Sequence, residues 1–253
     1  MDRERALALQ RQGIEAWIPV TARIARGELI QRDGVVAAIV PSAPRRSLLN
    51  GGIHRGADSL ERALPELAAA YDRAGVAATM WTIEPDPDAD ALLEAAGYAL
   101  DGEPAAMAAE LDAMPAPDLG DLDWDAEATP EELGRVNDRA YGYPPGEGVS
   151  PGIGVPPPEL HPRSYRARAS GELASVLQTV DIEGDCLVTW VATLPEHRGT
   201  GLASRLLQAA LADAREHGLE TTSLQASMLG RAVYERIGYE LVASLRLHER
   251  PRK

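Results

Sequence analysis

Residues 191–204 read Val-Ala-Thr-Leu-Pro-Glu-His-Arg-Gly-Thr-Gly-Leu-Ala-Ser. An apolar strand pattern runs into a turn containing Gly199 and Gly201, and a helical pattern follows directly. A turn of this kind gathers backbone N–H groups at the positive end of a helix dipole, where a phosphate or pyrophosphate can bind. Glycine lets the backbone approach such a ligand with no Cβ in the way. The spacing is neither that of a Gly-Lys-Ser/Thr nucleotide loop nor that of the Gly-x-Gly-x-x-Gly dinucleotide turn. Further along, Ala232-Val233-Tyr234-Glu235-Arg236-Ile237-Gly238-Tyr239 places a phenol on a short helix. With an ordinary pKa of about 10, a phenol can give its proton to a leaving thiolate of similar basicity.

Together the two stretches resemble the GCN5-related N-acetyltransferases. Arg198, Gly201 and Ala203 fit that superfamily's Arg/Gln-x-x-Gly-x-Gly/Ala signature, and the helix bearing Tyr234 fits its second element. The resemblance is strong over residues 186–247 and weaker back to the helix at Thr129. It implies an α+β fold of three layers with mixed, mostly antiparallel strands. It also implies an acyl-CoA site. The backbone around Ala192, through Val191 and Thr193, would pair with the pantetheine arm like an added strand. Gly199, Thr200, Gly201, Leu202, Ala203 and Ser204 would cradle the pyrophosphate, with Arg198 in the same turn. Tyr234 would protonate the departing sulfur, and a strand N–H such as that of Val191 would stabilise the developing oxyanion. Where the family often carries a cofactor-contacting Asn, seven residues before the Tyr, this chain has Ser227, which can still donate one hydrogen bond.

The implied activity is acetyl transfer from acetyl-CoA to a primary amine of a small molecule or peptide. The amine would attack directly in a ternary complex, and no metal is required. The alternative is a non-catalytic acyl-CoA-binding or sensing module. The general base stays open among Glu147, Glu159, His161, Asp181 and Glu183.

Composition narrows the partners. Lys and Arg total 25 against 39 Asp and Glu, a formal net charge of −14. That balance argues against nucleic acid and favours cationic small molecules. Cys186 is the single cysteine, so neither an intrachain disulfide nor a Cys-rich zinc site can form. The 5 histidines show no metal-ligand spacing. With no apolar run of roughly 18 residues and no secretory pattern at residues 1–12, the expectation is a cytoplasmic protein, off the membrane, monomeric or homodimeric.

The elements that must hold these groups can be read from periodicity and caps. Residues 3–24 predict a helix, and Asp33-Gly34 predicts a hairpin. Residues 47–53 read as a strand, and residues 58–61 as a capped helix start. Residues 114–123 read as an acidic linker. Thr129-Pro130-Glu131-Glu132 predicts a helix start with a capping box. Of residues 142–162, 12 are Gly or Pro, so this long segment is loop. Three strands are expected between 164 and 194, a helix over 202–217, a strand over 220–226, a helix over 228–237 and a final strand over 239–247.

A helix–Gly–strand–helix–Gly–Tyr order occurs twice, from Gly75 to Gly97-Tyr98 and from Gly218 to Gly238-Tyr239. It suggests two related halves, divided as 1–115 and 116–253. The first half lacks the glycine signature and a matching Tyr. It reads as a degenerate copy that walls one side of the acceptor cleft.

Overall fold

The computed structural model describes residues 1–227 and 230–252. In chain order the elements are α1 (Arg3–Ile24), β1 (Glu28–Arg32), β2 (Val35–Ile39), β3 (Gly51–His54), α2 (Ala57–Ala74), β4 (Ala78–Thr82), α3 (Pro87–Ala95), β5 (Ala99–Gly102), β6 (Ala105–Glu110), β7 (Asp123–Asp125), α4 (Pro130–Ala140), β8 (Arg163–Ala169), β9 (Glu172–Ile182), β10 (Asp185–Thr193), α5 (Leu202–Glu216), β11 (Thr221–Ala226), α6 (Arg231–Arg236), β12 (Glu240–Ser244) and β13 (Arg246–Arg250). The fold is α+β with two mostly antiparallel sheets, as expected.

Two compact units form. One holds residues 1–13 and 105–242, the other residues 14–104 and 243–253. A linear cut at 115/116 therefore does not follow the two sheets. In the first unit the strand order is β12-β6-β11-β10-β9-β8-β7. There β6 pairs antiparallel with β11 over its whole length, from Ala105↔Ala226 to Glu110↔Thr221. In the second unit the order is β1-β2-β3-β4-β13-β5. There the C-terminal β13 pairs antiparallel with both β4 and β5.

The first unit is built around α5 and α4. Leu206, Leu207, Ala210 and Leu211 of α5 are buried with Leu177, Cys186 and Val188 of the sheet. This is the apolar stripe expected for a helix packed on a sheet. α4 begins with the expected capping box: Thr129 Oγ1 accepts from the Glu132 N–H, and Glu132 Oε2 accepts from the Thr129 N–H at 2.9 Å. Arg166 of β8 clasps Glu132 at 2.7 Å and Asp125 of β7 at 2.9 Å, tying α4 to the sheet edge. Burial alone would raise both carboxyls. Asp125 is nevertheless lowered by hydrogen bonds from Arg168, the Glu127 N–H and Arg166, and Glu132 by those from the Thr129 N–H and Arg166.

Several local expectations change. Residues 47–50 form a 3-10 turn rather than the start of a strand. The cause is Asn50, whose side chain accepts from the Val40 N–H and donates to the carbonyls of Ala43 and Arg46. α2 starts at Ala57, one residue before the expected cap; its N-cap is Gly56, with no side-chain cap, and Ser59 gives its hydroxyl to the Gly56 and Gly34 carbonyls. β7 begins at Asp123, the last residue of the expected linker, and is held by pairing with β8. The expected final strand is two strands in two sheets, broken at fully buried Leu245, whose N–H donates to Pro104 O at 2.9 Å. Of the helix expected over 228–237, the described part is α6, and Met228 and Leu229 lie outside the described residues.

Candidate active site

β10 and β11 run parallel and pair only over Asp185–Leu187 with Thr221–Ser223. Both strands continue, to Thr193 and Ala226, so their ends diverge and leave a V-shaped opening. A bulge shapes the β10 edge of this opening. The register with β9 jumps from Thr189↔Gln178 to Ala192↔Val176, so Trp190 and Val191 stand opposite the single residue Leu177. Trp190 has a φ of +54°. Asn137 of α4, itself buried, donates to Trp190 O at 3.1 Å and steadies that strained residue.

Beyond the bulge the backbone direction is set by its partners. Ala192 O accepts from Ser175 Oγ, and the Leu194 N–H donates to Ala174 O, so both residues face β9. Strand alternation then turns the backbone groups of Val191 and Thr193 toward the open edge. These are the two residues expected to pair with an extended ligand.

The glycine turn closes the V. Gly199 has φ +76° and Gly201 has φ +82°, conformations natural to glycine. Nothing lies within 4 Å of a Cβ added at Gly199, and Arg205 Nε at 3.9 Å is the nearest neighbour at Gly201. Gly201 is the N-cap of α5 and carries no side-chain cap. The cradle is thus open and rests on the helix N-terminus. Thr200 Oγ donates to His197 O at 2.7 Å and tightens the turn. The side chain of Leu202 is buried in the core, while Ala203 and Ser204 are half-buried on the first turn of α5.

Arg198 does something different from what its place in the signature suggests. Its guanidinium donates to Ala140 O, at the C-terminal end of α4, and weakly to Thr193 O at 3.4 Å. A cation at a helix C-terminus is favourable. Arg198 here fastens α4 to the end of β10. Ser227 is also engaged locally, its Oγ accepting from the Gly230 N–H at 3.2 Å at the entry to α6.

Tyr234 is half-buried on α6 against the core, edge-on to Tyr239 with centroids 5.9 Å apart. Desolvation pushes its phenol well above the ordinary value, and Tyr141 adds in the same direction. The group is therefore protonated throughout the neutral range and ready to donate. Tyr141 itself is exposed at the end of α4 and stacks on Tyr143 at 6.1 Å.

The structure separates the five candidate bases. His161 and Asp181 line a pocket with Ala214 and His217, at the C-terminal end of α5. That is on the order of 20 Å along the helix from the glycine turn, at 1.5 Å per residue. Glu183 sits in the β9–β10 turn, at the end of β10 remote from the bulge, and accepts from Gln12. Glu147 and Glu159 lie in the Gly/Pro-rich loop, Glu159 two residues before His161. Asn137 and Tyr141 were not singled out by sequence reasoning. Asn137 could have been: it is one of two asparagines in the chain and lies on the apolar face of α4 with Leu133 and Val136.

Residues 169–242 match the family model described as the acetyltransferase (GNAT) domain. Over this segment the chain is similar to that domain. The segment carries the glycine turn, the bulged β10 and Tyr234. The whole chain has the same fold as several solved structures. It aligns with a GCN5-related N-acetyltransferase from Kribbella flavida at 20% identity and TM-score 0.67, covering 92% of this chain and 96% of that one. A second, from Sphaerobacter thermophilus, aligns at 18% identity and TM-score 0.62, covering 95% and 93%. A tandem GNAT protein from the clavulanic acid biosynthesis pathway aligns at 16% identity and TM-score 0.55, covering 88% and 78%. No curated protein matches in sequence. Among the described residues, no group of three or more His, Cys, Asp or Glu side chains could hold a metal ion. Among them too, no helix is long and apolar enough to cross a membrane.

Proposed function

We propose that the chain is an acetyl-CoA-dependent N-acetyltransferase acting on the primary amine of a small molecule, with catalysis in the GNAT domain. The observation that carries this reading is the open V between β10 and β11, floored by two left-handed glycines at an uncapped helix N-terminus. The residues fit the co-substrate, since a Cβ at either glycine would stand in the space a pyrophosphate needs. Gly199, Thr200 and Gly201, with the first turn of α5 from Leu202 to Ser204, would hold the pyrophosphate. Val191 and Thr193 would bind the pantetheine arm through their backbones. Acetyl-CoA supplies an activated acetyl group, whose thioester carbon accepts the amine nitrogen.

The chain's own residues then do three things. The Val191 N–H stabilises the oxyanion formed when the amine attacks. Tyr234 gives its proton to the sulfur as the C–S bond breaks. Glu147 or Glu159 takes the proton lost by the nitrogen, directly or through water, and solvent reprotonates Tyr234. The products are the amide and free CoA. The acidic chain favours a cationic acceptor. A cytoplasmic setting fits the single cysteine, Cys186, which is buried and unpaired. The second unit reads as a related half without a co-substrate site, making the chain a tandem of two halves.

The test is thiol release from acetyl-CoA with a panel of benzylamine, glucosamine and alaninamide. Turnover with at least one amine is expected. Binding of acetyl-CoA with no turnover on any of them, unchanged by Tyr234→Phe, would favour the sensing module instead.

A further inference from the structure

Gln178 lies on β9, directly opposite Thr189, the last paired residue before the bulge. Its side chain is 1% exposed. The amide nitrogen donates to Ser164 Oγ at 2.9 Å and to Gly154 O at 3.4 Å. A backbone carbonyl can only accept, so the contact with Gly154 is made by the nitrogen end of the amide in this orientation. The other end, Oε1, is buried and meets no donor. A buried carbonyl oxygen without a donor is costly and rare in folded proteins.

The cover over Gln178 is the Gly/Pro-rich loop. That loop is fastened to α4 by Asp138, which accepts from the Val149 N–H at 2.6 Å and from the Ser150 hydroxyl. It is fastened to the sheet by Gln178 itself. The same α4 holds Trp190 O through Asn137. One helix therefore sets both the bulge, where the thioester would lie, and the loop above Gln178.

We infer that Gln178 is a positioning residue for the acceptor, its Oε1 receiving an N–H of the incoming primary amine. The inference rests on the acetyltransferase reading above. A neutral carbonyl oxygen suits this task. It orients an N–H while favouring the ammonium form, which cannot attack, less than a carboxylate would. The ligand class is an amine with at least one N–H beyond the lone pair that attacks, and a tertiary amine is refused.

Binding of an amine and of its analogue lacking the amino group separates this role from a structural one. The pairs are benzylamine and toluene, glucosamine and 2-deoxyglucose, and alaninamide and propionamide, using the pair whose amine turns over fastest. Titrations run on the full chain with CoA present, so that no turnover occurs. In Gln178→Met the amine is expected to bind about 3–10-fold more weakly, the equivalent of one neutral hydrogen bond, while the analogue without the amino group binds as to wild type. Gln178→Glu keeps an acceptor oxygen and is expected to retain the preference for the amine, which also covers a Met variant that folds poorly. Equal weakening of both ligands in Gln178→Met would show a loop-docking role only and overturn the inference. Unchanged amine binding would mean that water satisfies Oε1, and would overturn it as well. Failure of the underlying reading looks different: wild type would acetylate no amine of the panel.

Discussion

Each unit holds one parallel strand pair joined by a helix, and the two helix entrances differ in ways that decide what each can bind. Neither helix has a side-chain cap, but at the entrance of α5 two glycines in the left-handed region hold the turn open. At the entrance of α2, the hairpin turn at Gly34 occupies the corresponding place. Gly34 O accepts from the Arg55 N–H at 2.9 Å and from Ser59 Oγ. Asp33, Asp58, Asp86 and Asp88 surround that entrance; of the two arginines there, Arg55 is already paired with Glu15 at 2.7 Å and Arg62 with Asp33 at 4.0 Å. A carbonyl plug and four carboxylates repel a phosphate.

The strands differ in the same sense. β3 ends one residue after its last parallel pair with β4, at His54, and His54 Nε2 bonds Thr82 Oγ1 across the gap at 3.0 Å. β10 runs on for six residues past its last pair with β11, through a bulge. The lesson is that the GNAT-type cradle depends on what is left out: a hairpin and a cross-strand bridge.

The comparison breaks most visibly at Tyr234. Tyr234→Phe should lower kcat by about 10²–10³-fold, the usual worth of a general acid, and leave the Kd for acetyl-CoA within about twofold. Steady-state kinetics beside calorimetry checks both numbers. No described residue of the unit holding α2 is expected to behave this way.

A smaller effect is expected from Gly201→Ala. The methyl group meets no wall, but φ +82° is unfavourable for alanine. The variant should lose roughly 1–2 kcal/mol of stability and bind acetyl-CoA about tenfold more weakly. Gly34→Ala is the matched change in the other unit, where the new Cβ would meet Ser59 Cβ at 2.7 Å. It should melt the protein at lower temperature and leave acetyl-CoA affinity in the surviving folded fraction unchanged.

The smallest effects concern pH. Tyr234 must be protonated to act, and its pKa is raised, so activity depending on it is lost only as pH rises through that high value. The rate profile between pH 6 and 9 should therefore show no break from Tyr234, and Tyr234→Phe should leave its shape unchanged. Asp125, Glu132 and Asp213 have lowered pKa values. Their contribution to stability is present above the ordinary carboxylate range and fades as pH falls through the lowered values, so acid unfolding should begin below about pH 4. In Arg166→Gln that acid sensitivity should shrink, which thermal melts across pH 2–7 would show.

Much of the site was legible because it is local. The Gly199–Gly201 turn, the capping box at Thr129 and the bounds of α1 follow from residues close in sequence, where glycine dihedrals and caps act directly. What escaped reading is non-local. Nothing near Ala105 or Arg246 indicates that β6 and β13 join sheets assembled from distant residues. Asn50 overrides strand propensity through three hydrogen bonds to its own turn. Arg198 lies in the signature yet reaches Ala140, 58 positions away. Gln178 gains its meaning only from Gly154 and Thr189, which the fold brings beside it.

The central claim is that acetyl-CoA binds once, at the α5 entrance. Isothermal titration of the full chain with acetyl-CoA, beside Gly201→Glu, tests it most directly. One site in wild type and at least about 100-fold weaker binding in the variant are expected, because the added carboxylate repels the pyrophosphate and the left-handed turn is strained. Undiminished binding by Gly201→Glu, or two sites in wild type, would contradict it.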